Sequence, residues 1–207
     1  EILKSGNVGV SGSTGAVLHR SLIGLRALVS RSLAEIRLTE GVQNRERLLV
    51  AELIDHLAPS ATIDASSRGI TFTVTAVEPG VLIVADKQVL ASVVVNLLQN
   101  AFKFTRKGST VTLSIVADAD RVLIEVQDEC GGLPGGNAND LFRPFEQRGS
   151  DRTGVGLGLA FCRWAVEANE GRISARSIAD VGCVFTVDLP RRFDAVADPA
   201  VPPTGAR

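Results

Sequence analysis

The stretch Asn96-Leu-Leu-Gln-Asn-Ala-Phe-Lys-Phe104 decides how the rest of this chain is interpreted. In a helix, Asn96, Asn100 and Lys103 project from one face, because they stand at i, i+4 and i+7. Asparagine is a weak helix former, so two of them one turn apart in an apolar helix need a reason. Amide oxygens suit a hard cation such as Mg²⁺, and lysine suits phosphate. We expect a ligand-binding face here, with amides that cap neighbouring backbone as the alternative.

A second motif, Asp-Glu-Cys-Gly-Gly-Leu-Pro, occupies residues 128–134 and directly follows a predicted strand. An aspartate that leaves a strand into paired glycines is expected at a sheet edge, with an exposed carboxylate. Gly131 and Gly132 allow positive φ and let a flat ligand approach the backbone closely. By itself the motif is a common turn, so an ordinary structural role stays open.

A third motif, Thr-Gly-Val-Gly-Leu-Gly-Leu-Ala-Phe, covers residues 153–161 and leads straight into a predicted helix. Backbone N–H groups at such a helix start make an anion site, which the helix dipole reinforces. The motif is not the dinucleotide-binding fingerprint, because position 159 is leucine and no strand precedes it closely. The phosphate-binding loop G-x-x-x-x-G-K-[ST] is absent from the chain.

The segments around these motifs alternate between strands and helices. Helices are predicted over 87–104 and 157–168, and another over 45–57 is expected to end before Pro59. The β-rich runs are 70–77, 81–85, 110–116, 122–127, 172–176 and 183–189. This interleaving predicts a layered α/β domain.

The first 71 residues contain no aromatic side chain. Residues 13–39 read as one helix with an aliphatic seam at the 3.5-residue repeat of packed helices, formed by Leu18, Leu22, Leu25, Val29, Leu33 and Ile36. The seam predicts helix–helix contacts, and the alternative is an amphipathic helix on its own domain. We expect residues 1–5 to end a preceding helix, and residues 191–207 to be a proline-rich tail.

Composition excludes several classes of protein. The 207 residues include 22 basic and 23 acidic side chains, which argues against a nucleic-acid partner and against direct membrane contact. A hydrophobic share of 45% permits a sizeable core, and no apolar run is long enough to span a membrane. Because methionine is absent even at position 1, we expect a fragment of a longer protein.

The cysteines and histidines argue against zinc chemistry. Cys130, Cys162 and Cys183 are far apart in sequence, and the two histidines form no zinc-spaced cluster with them. An odd number of scattered cysteines favours a reducing compartment over a disulfide scaffold.

The ordered set of motifs resembles the ATP-binding domain of bacterial sensor histidine kinases, within the wider group that includes gyrase and MutL ATPases. The segments 96–103, 128–133, 142–145 and 154–158 resemble the family's N, G1, F and G2 boxes. The resemblance implies an α+β fold, a two-layer α/β sandwich of the Bergerat type, preceded by part of an α-helical hairpin. The implied domains are 1–58, a partial dimerisation and phosphotransfer region, and 59–190, the catalytic domain, with 191–207 as tail.

The resemblance also implies ligands and residue roles. ATP would be bound with Mg²⁺: Asp128 would accept from the adenine amine, Asn96 and Asn100 would hold the metal, and Lys103 would contact phosphate. Residues 134–153 would form a mobile lid, based on two phenylalanines and with Arg148 and Arg152 as candidate phosphate contacts. The further implied nucleotide-binding residues are Gly132, Phe142, Phe145, Gly154, Gly156, Leu157 and Gly158.

Two departures from the family pattern matter. Cys130 replaces the first glycine of the G1 box, which we expect the turn to tolerate. Asn96 stands where the hydrolysing members of the wider group place a catalytic glutamate. Without that base, activation of water is disfavoured, so the resemblance implies phosphoryl transfer to a protein histidine rather than ATP hydrolysis.

The phosphoacceptor is expected to lie upstream of Glu1. His19 is followed by Arg20 and Ser21, whereas the family places an acidic residue directly after its histidine. The fragment should therefore bind ATP without phosphorylating itself.

The implied partners are a second copy of the chain, through residues 13–39, and a response-regulator receiver domain. The implied location is the cytoplasm, with membrane anchoring of the parent protein left open. The competing functions are a degenerate nucleotide-binding or scaffold module, supported by Cys130, and a serine kinase of the anti-sigma type, which the preceding helical region disfavours.

Overall fold

A computed structural model describes residues 44–133, 135, 137–146, 156–179 and 181–193. The predicted helix over 13–39, His19, Arg148, Arg152 and Gly154 lie outside the described residues. So does most of the predicted tail over 191–207.

A seven-stranded sheet forms one layer of the described structure, with strand order β1-β3-β7-β5-β4-β2 and β6 paired to β7. All pairs are antiparallel except β2 with β4. The strands are β1 (Glu46–Leu49), β2 (Thr71–Val74), β3 (Leu82–Ala85), β4 (Thr110–Ala117), β5 (Arg121–Asp128), β6 (Arg172–Ile178) and β7 (Gly182–Arg192).

Helices form the second layer: α1 (Val50–Ser67), α2 (Lys87–Phe104) and α3 (Gly158–Ala168), with a short 3₁₀ helix at Ala138–Phe142. Alternate residues of β5, namely Val122, Ile124 and Val126, are fully buried and join the apolar faces of the helices in one core. This alternation is what a sheet covered on one face requires. The predicted two-layer α/β sandwich is thereby confirmed.

Helix α2 has the bounds that the sequence predicts. Asp86 caps its start, where Oδ1 accepts hydrogen bonds from the backbone N–H groups of Gln88 and Val89, both at 3.0 Å. Leu97, Leu98 and their apolar neighbours on the helix are buried. The face that carries Asn96, Asn100 and Lys103 is only partly buried.

The bounds predicted for the helix over 45–57 are wrong at both ends. Residues 46–49 form β1, which pairs with β3, and α1 continues through Pro59 to Ser67. Pro59 is exposed, and the hydroxyls of Ser60 and Thr62 donate to carbonyls of the preceding turn, at 3.0 and 2.8 Å. Burial of Leu53, Ile54, Leu57, Ala61 and Ala65 on one side holds the helix together across the proline.

Residues 46–58 pack with the sheet domain, whose core includes Leu48, Val50, Leu53, Ile54 and Leu57. The boundary predicted between residues 58 and 59 falls inside α1 and does not coincide with a break in the packing.

The junction of β1, α2 and α3 is held by polar contacts. Arg45 donates to Glu170 at 2.5 Å and to the Ala168 carbonyl at the end of α3. The side-chain oxygen of buried Asn169 accepts from the N–H of Asp86 at 3.1 Å, which ties the end of α3 to the start of α2.

None of the helices in the described part of the chain combines the length and the apolar character that a membrane span needs.

Candidate functional site

The centre of the candidate site is the carboxylate of Asp128, at the end of β5. Asp128 continues the buried alternation of this strand and is 2% exposed, so the prediction of an exposed carboxylate is wrong. Its Oδ1 accepts hydrogen bonds from the backbone N–H groups of Cys130 and Cys183, at 3.0 and 3.2 Å. A buried carboxylate needs such partners, because an unsolvated charge is costly. The strand and the following turn therefore fix its position.

The turn after β5 needs glycine at two positions. Gly131 and Gly132 have φ of +89° and +111°, in the region that side chains avoid. The N–H of Gly131 donates to the Val181 carbonyl at 3.1 Å and joins the turn to the chain that leads into β7. Cys130 does not have positive φ, so the backbone accommodates a side chain where the family has glycine.

Close approach of β7 completes the surroundings of Asp128. A Cβ built on Gly182 would lie 1.8 Å from the Asp128 carbonyl oxygen, so only glycine fits this register. Ser177 on β6 lies beside the turn and its hydroxyl accepts from the N–H of Leu133 at 3.2 Å.

Sequence reasoning missed Gly182, Cys183 and Ser177 as neighbours of Asp128. The only signal for the first two was a predicted strand that begins at Cys183, directly after a glycine.

Two thiols face the same carboxylate. One potential ligand atom from each of Asp128, Cys130 and Cys183 lies within 4.8 Å of the other two. Burial raises the pKa of the Cys130 thiol above its ordinary value, and the Asp128 carboxylate raises it further. Burial is also the main cause of the raised pKa of the Cys183 thiol. Both groups are therefore protonated thiols at neutral pH.

A second part of the site is the partly buried face of α2. Asn96 Nδ2 donates to the Ser92 carbonyl at 3.0 Å, which turns Oδ1 towards the start of α3. A Cβ on Gly158 would lie 3.3 Å from that oxygen. The structure thus brings Asn96 and Gly158 together, and Asn100 follows one turn later on the same face. Lys103 Nζ lies 5.0 Å from the ring centroid of Phe104.

The start of α3 is suited to an anion. Leu157 precedes the helix and is buried, and no side chain caps the first turn within the described residues. The first N–H groups of a helix have no partners inside it. Gly156 has φ of +71°, which gives the approach to the helix a conformation that favours glycine.

Of the two phenylalanines predicted to support the lid, only Phe142 is packed by its ring. Phe142 is buried, meets Phe185 edge-to-face and lies under the guanidinium of Arg163. Phe145 differs, because 71% of it is exposed. Its backbone makes the contact instead, because the N–H of Phe145 donates to the Gly156 carbonyl at 2.8 Å.

Comparison with known proteins gives a consistent match. Residues 85–192 match the family described as histidine kinase-, DNA gyrase B- and HSP90-like ATPase. The sensor protein KdpD of Clostridium acetobutylicum is 31% identical over 148 residues, which are 69% of this chain and 16% of KdpD.

Two solved structures match the fold. ShkA, solved full-length in complex with AMPPNP, is 26% identical with a TM-score of 0.72, over 87% of this chain and 39% of ShkA. ThkA, solved with the response regulator TrrA, has a TM-score of 0.69 at 19% identity, over 90% of this chain and 53% of ThkA. The chain spans about a sixth of the length of the first curated relatives it matches.

Proposed function

Because this chain belongs to the family of histidine kinase-, DNA gyrase B- and HSP90-like ATPases, as its motifs predict, we propose that it is the ATP-binding catalytic part of a two-component sensor histidine kinase. The observation that carries the proposal is the buried, backbone-held carboxylate of Asp128 beside the Gly131–Gly132 turn. The curated relative KdpD is a sensor protein, and ShkA was solved with an ATP analogue, AMPPNP.

Asp128 is proposed to recognise the adenine base. An ionised carboxylate only accepts hydrogen bonds, so it pairs with the exocyclic amine of adenine and opposes the carbonyl that guanine has there. Oδ1 already accepts from two backbone N–H groups, which orient the carboxylate before any ligand arrives. Discrimination by a buried, fixed polar group is large, because the wrong base leaves it unpaired.

The α2 face is the proposed Mg²⁺ and phosphate site, and its residues fit that role. The side-chain oxygen of Asn96 points to the space that Gly158 leaves by lacking a Cβ, and Asn100 offers a second amide on the same face. Amide oxygens are suitable ligands for Mg²⁺. When bound, the ion would neutralise phosphate charge and align the leaving group. Lys103 and the glycines of the third motif, Gly154, Gly156 and Gly158, are the proposed phosphate contacts.

The proposed reaction transfers the γ-phosphoryl group of ATP to a histidine and then to a response-regulator aspartate. A water-activating base is disfavoured at position 96, because the asparagine amide there cannot accept a proton at neutral pH. The side chain of Asn96 also donates to the helix backbone. Position 96 therefore favours positioning of phosphate over hydrolysis.

The proposed phosphoacceptor is a histidine outside this sequence, so the chain alone should not phosphorylate itself. The sequence around His19 is the motivation. The proposed partners are a second copy of the chain, through residues 13–39, and a response-regulator receiver domain. The complex of ThkA with TrrA supports the second partner, because ThkA has the same fold.

Nucleotide binding tests the first half of the proposal. Calorimetry with Mg-ATP and Mg-GTP should show clear selectivity for ATP. Asp128→Asn should weaken ATP binding by about 1.5–3 kcal/mol, the range for a hydrogen bond to a charged group. Asp120→Asn is the matched control, because Asp120 is exposed in the β4–β5 turn. Equal binding of ATP and GTP by the unmodified chain would contradict the assignment.

Phosphoryl transfer tests the second half. A histidine-bearing helical hairpin supplied in trans with radiolabelled ATP should acquire acid-labile, alkali-stable label, while the chain alone should not. ATP binding without transfer to any hairpin would favour the scaffold alternative. Label on the chain itself that His19→Ala abolishes would refute the external acceptor.

A further inference from the structure

The starting observation is the cluster of two thiols and one carboxylate at the end of β5. Cys130 and Cys183 are 53 residues apart in sequence, yet their sulfur atoms and a carboxylate oxygen of Asp128 lie within 4.8 Å of one another. Within the described residues this is the one group of three or more cysteine, histidine or acidic side chains that meets this distance. Cys162 is not part of it, since its thiol donates to the Val93 carbonyl at 3.8 Å.

The backbone holds the three groups in place. Asp128 and Cys183 are paired residues of β5 and β7. The N–H groups of Cys130 and Cys183 both donate to Asp128 Oδ1, so neither cysteine can move far from the carboxylate without losing a hydrogen bond. Gly182 allows the two strands to approach at this point. The cluster is thus built by the fold, and not by flexible surface side chains.

Its dimensions favour a metal ion over a disulfide. With zinc–sulfur and zinc–oxygen distances of about 2.3 and 2.1 Å, the ligand atoms of a tetrahedral zinc site lie about 3.5–3.8 Å apart. Starting within 4.8 Å, the three groups need to close by at most about 1 Å. A disulfide requires about 2.05 Å between the sulfur atoms, a closer approach than a shared metal ion does, and it also requires an oxidant.

We propose that Asp128, Cys130 and Cys183 form a binding site for one thiophilic divalent cation of the Zn²⁺ class, and that the bound cation excludes adenine. Both thiols lose their protons to solvent as zinc–sulfur bonds form, and the ion loses water molecules; no atom changes oxidation state. The carboxylate supplies the third ligand, and water occupies the fourth position. The exclusion of adenine rests on the proposed function, because it assumes that Asp128 reads the base.

Charge and access fit this site. The two thiolates balance the charge of a divalent ion, and the two backbone N–H groups that donate to Oδ1 stabilise the remaining charge of the carboxylate. Cys183 is 2% exposed, whereas Cys130 is partly exposed and gives the ion a way in. A cysteine at the first position of the turn also has a reason under this proposal, since glycine there would leave too few ligands.

Metal binding is tested on the whole chain with a non-thiol reductant present. Zn²⁺ should bind with one ion per chain, and Co²⁺ should give a thiolate-to-metal charge-transfer band in the near ultraviolet. Cys130→Ser and Cys183→Ser should each lower zinc affinity by more than about 100-fold, beyond the usual loss for an indirect ligand contact. Cys162→Ala is the matched control and should retain affinity. Equal zinc affinity in the Cys130→Ser variant, shown to be folded by circular dichroism, would overturn the site.

Competition is tested on chain preloaded with one equivalent of Zn²⁺ and freed of excess ion by gel filtration. Mg-ATP affinity should fall at least tenfold, about 1.4 kcal/mol, relative to metal-free chain, and a chelator should restore it. Zinc bound through the thiols with ATP affinity unchanged would overturn the exclusion. Failure of ATP to bind the metal-free chain would instead refute the proposed function and leave the zinc site to stand on its own data.

Discussion

Replacing Gly182 by alanine should damage both stability and nucleotide binding. The added Cβ would lie 1.8 Å from the Asp128 carbonyl oxygen, 2.7 Å from its carbonyl carbon and 2.9 Å from the Glu129 Cα. The first contact is more than an ångström short of the 3.0 Å below which real Cβ contacts are essentially never seen. All three atoms belong to the backbone, so no side chain can rotate away. The strands β5 and β7 must separate at this point.

The expected cost follows from what that separation breaks. Overpacking costs about 1–3 kcal/mol, and we place this substitution at about 3 kcal/mol because backbone must move. The hydrogen bond from Cys183 to Asp128 Oδ1, now 3.2 Å, and that from Gly131 to Val181, now 3.1 Å, lie beside the clash. Their loss frees the carboxylate that is proposed to read adenine. ATP affinity should therefore fall by about tenfold or more even where the variant is fully folded.

Urea unfolding monitored by circular dichroism measures the first effect, and calorimetry with Mg-ATP measures the second. A loss of 3 kcal/mol lowers the urea midpoint by about 1.5 M for an m-value of about 2 kcal/mol/M. Gly135→Ala is the matched control, because a Cβ there would meet no atom within 4 Å. If Gly182→Ala is no less stable than Gly135→Ala, the close approach of β7 to Asp128 is not as described and the reasoning fails.

Three further predictions concern other parts of the fold. Thr105→Val should stabilise the chain by about 1 kcal/mol in urea unfolding, because Oγ1 of Thr105 is buried without a hydrogen-bond partner within the described residues; destabilisation would reveal a partner for the hydroxyl. Asp86→Ala should cost about 1 kcal/mol through loss of the α2 cap, whereas Asp86→Ser should retain most of that stability. Arg45 holds the pKa of Glu170 below its ordinary value, so the ion pair stabilises the fold above the unfolded-state pKa and is lost as pH falls through the folded-state value. Arg45→Gln should raise the carboxyl titration midpoint of Glu170 measured by NMR, and an unchanged midpoint would show that the pair does not form.

Local patterns in the sequence predicted what local forces determine. The bounds of α2 follow from its cap and its apolar residues. Both features lie within one continuous segment of the sequence. The β-rich runs are predictable because alternation along β4 and β5 reflects a sheet covered on one side. The two-layer fold could be predicted from these segments.

The predictions from sequence fail where contacts between residues far apart in the chain determine the structure. Residues 46–49 carry no strand signal of their own, and they become β1 by pairing with β3. Pro59 ordinarily ends a helix, but burial of residues on both sides of it keeps α1 continuous. The juxtaposition of Cys130 and Cys183 depends on the register of β5 with β7, which the spacing of cysteines along the chain cannot express. A cysteine cluster that forms across two paired strands therefore has no signature in the spacing along the sequence.

The anchoring of Arg45 has a mechanical consequence. Arg45 forms hydrogen bonds at the end of α3, and β1 pairs with β3. The N–H of Asp86, directly after β3, donates to the side chain of Asn169. A torque applied to the chain at residue 44 would therefore act directly on the end of α3 and on the start of α2. These are the helices that carry Gly158 and Asn96. A change in the relative position of α2 and α3 would alter the distance between the Asn96 side-chain oxygen and Gly158.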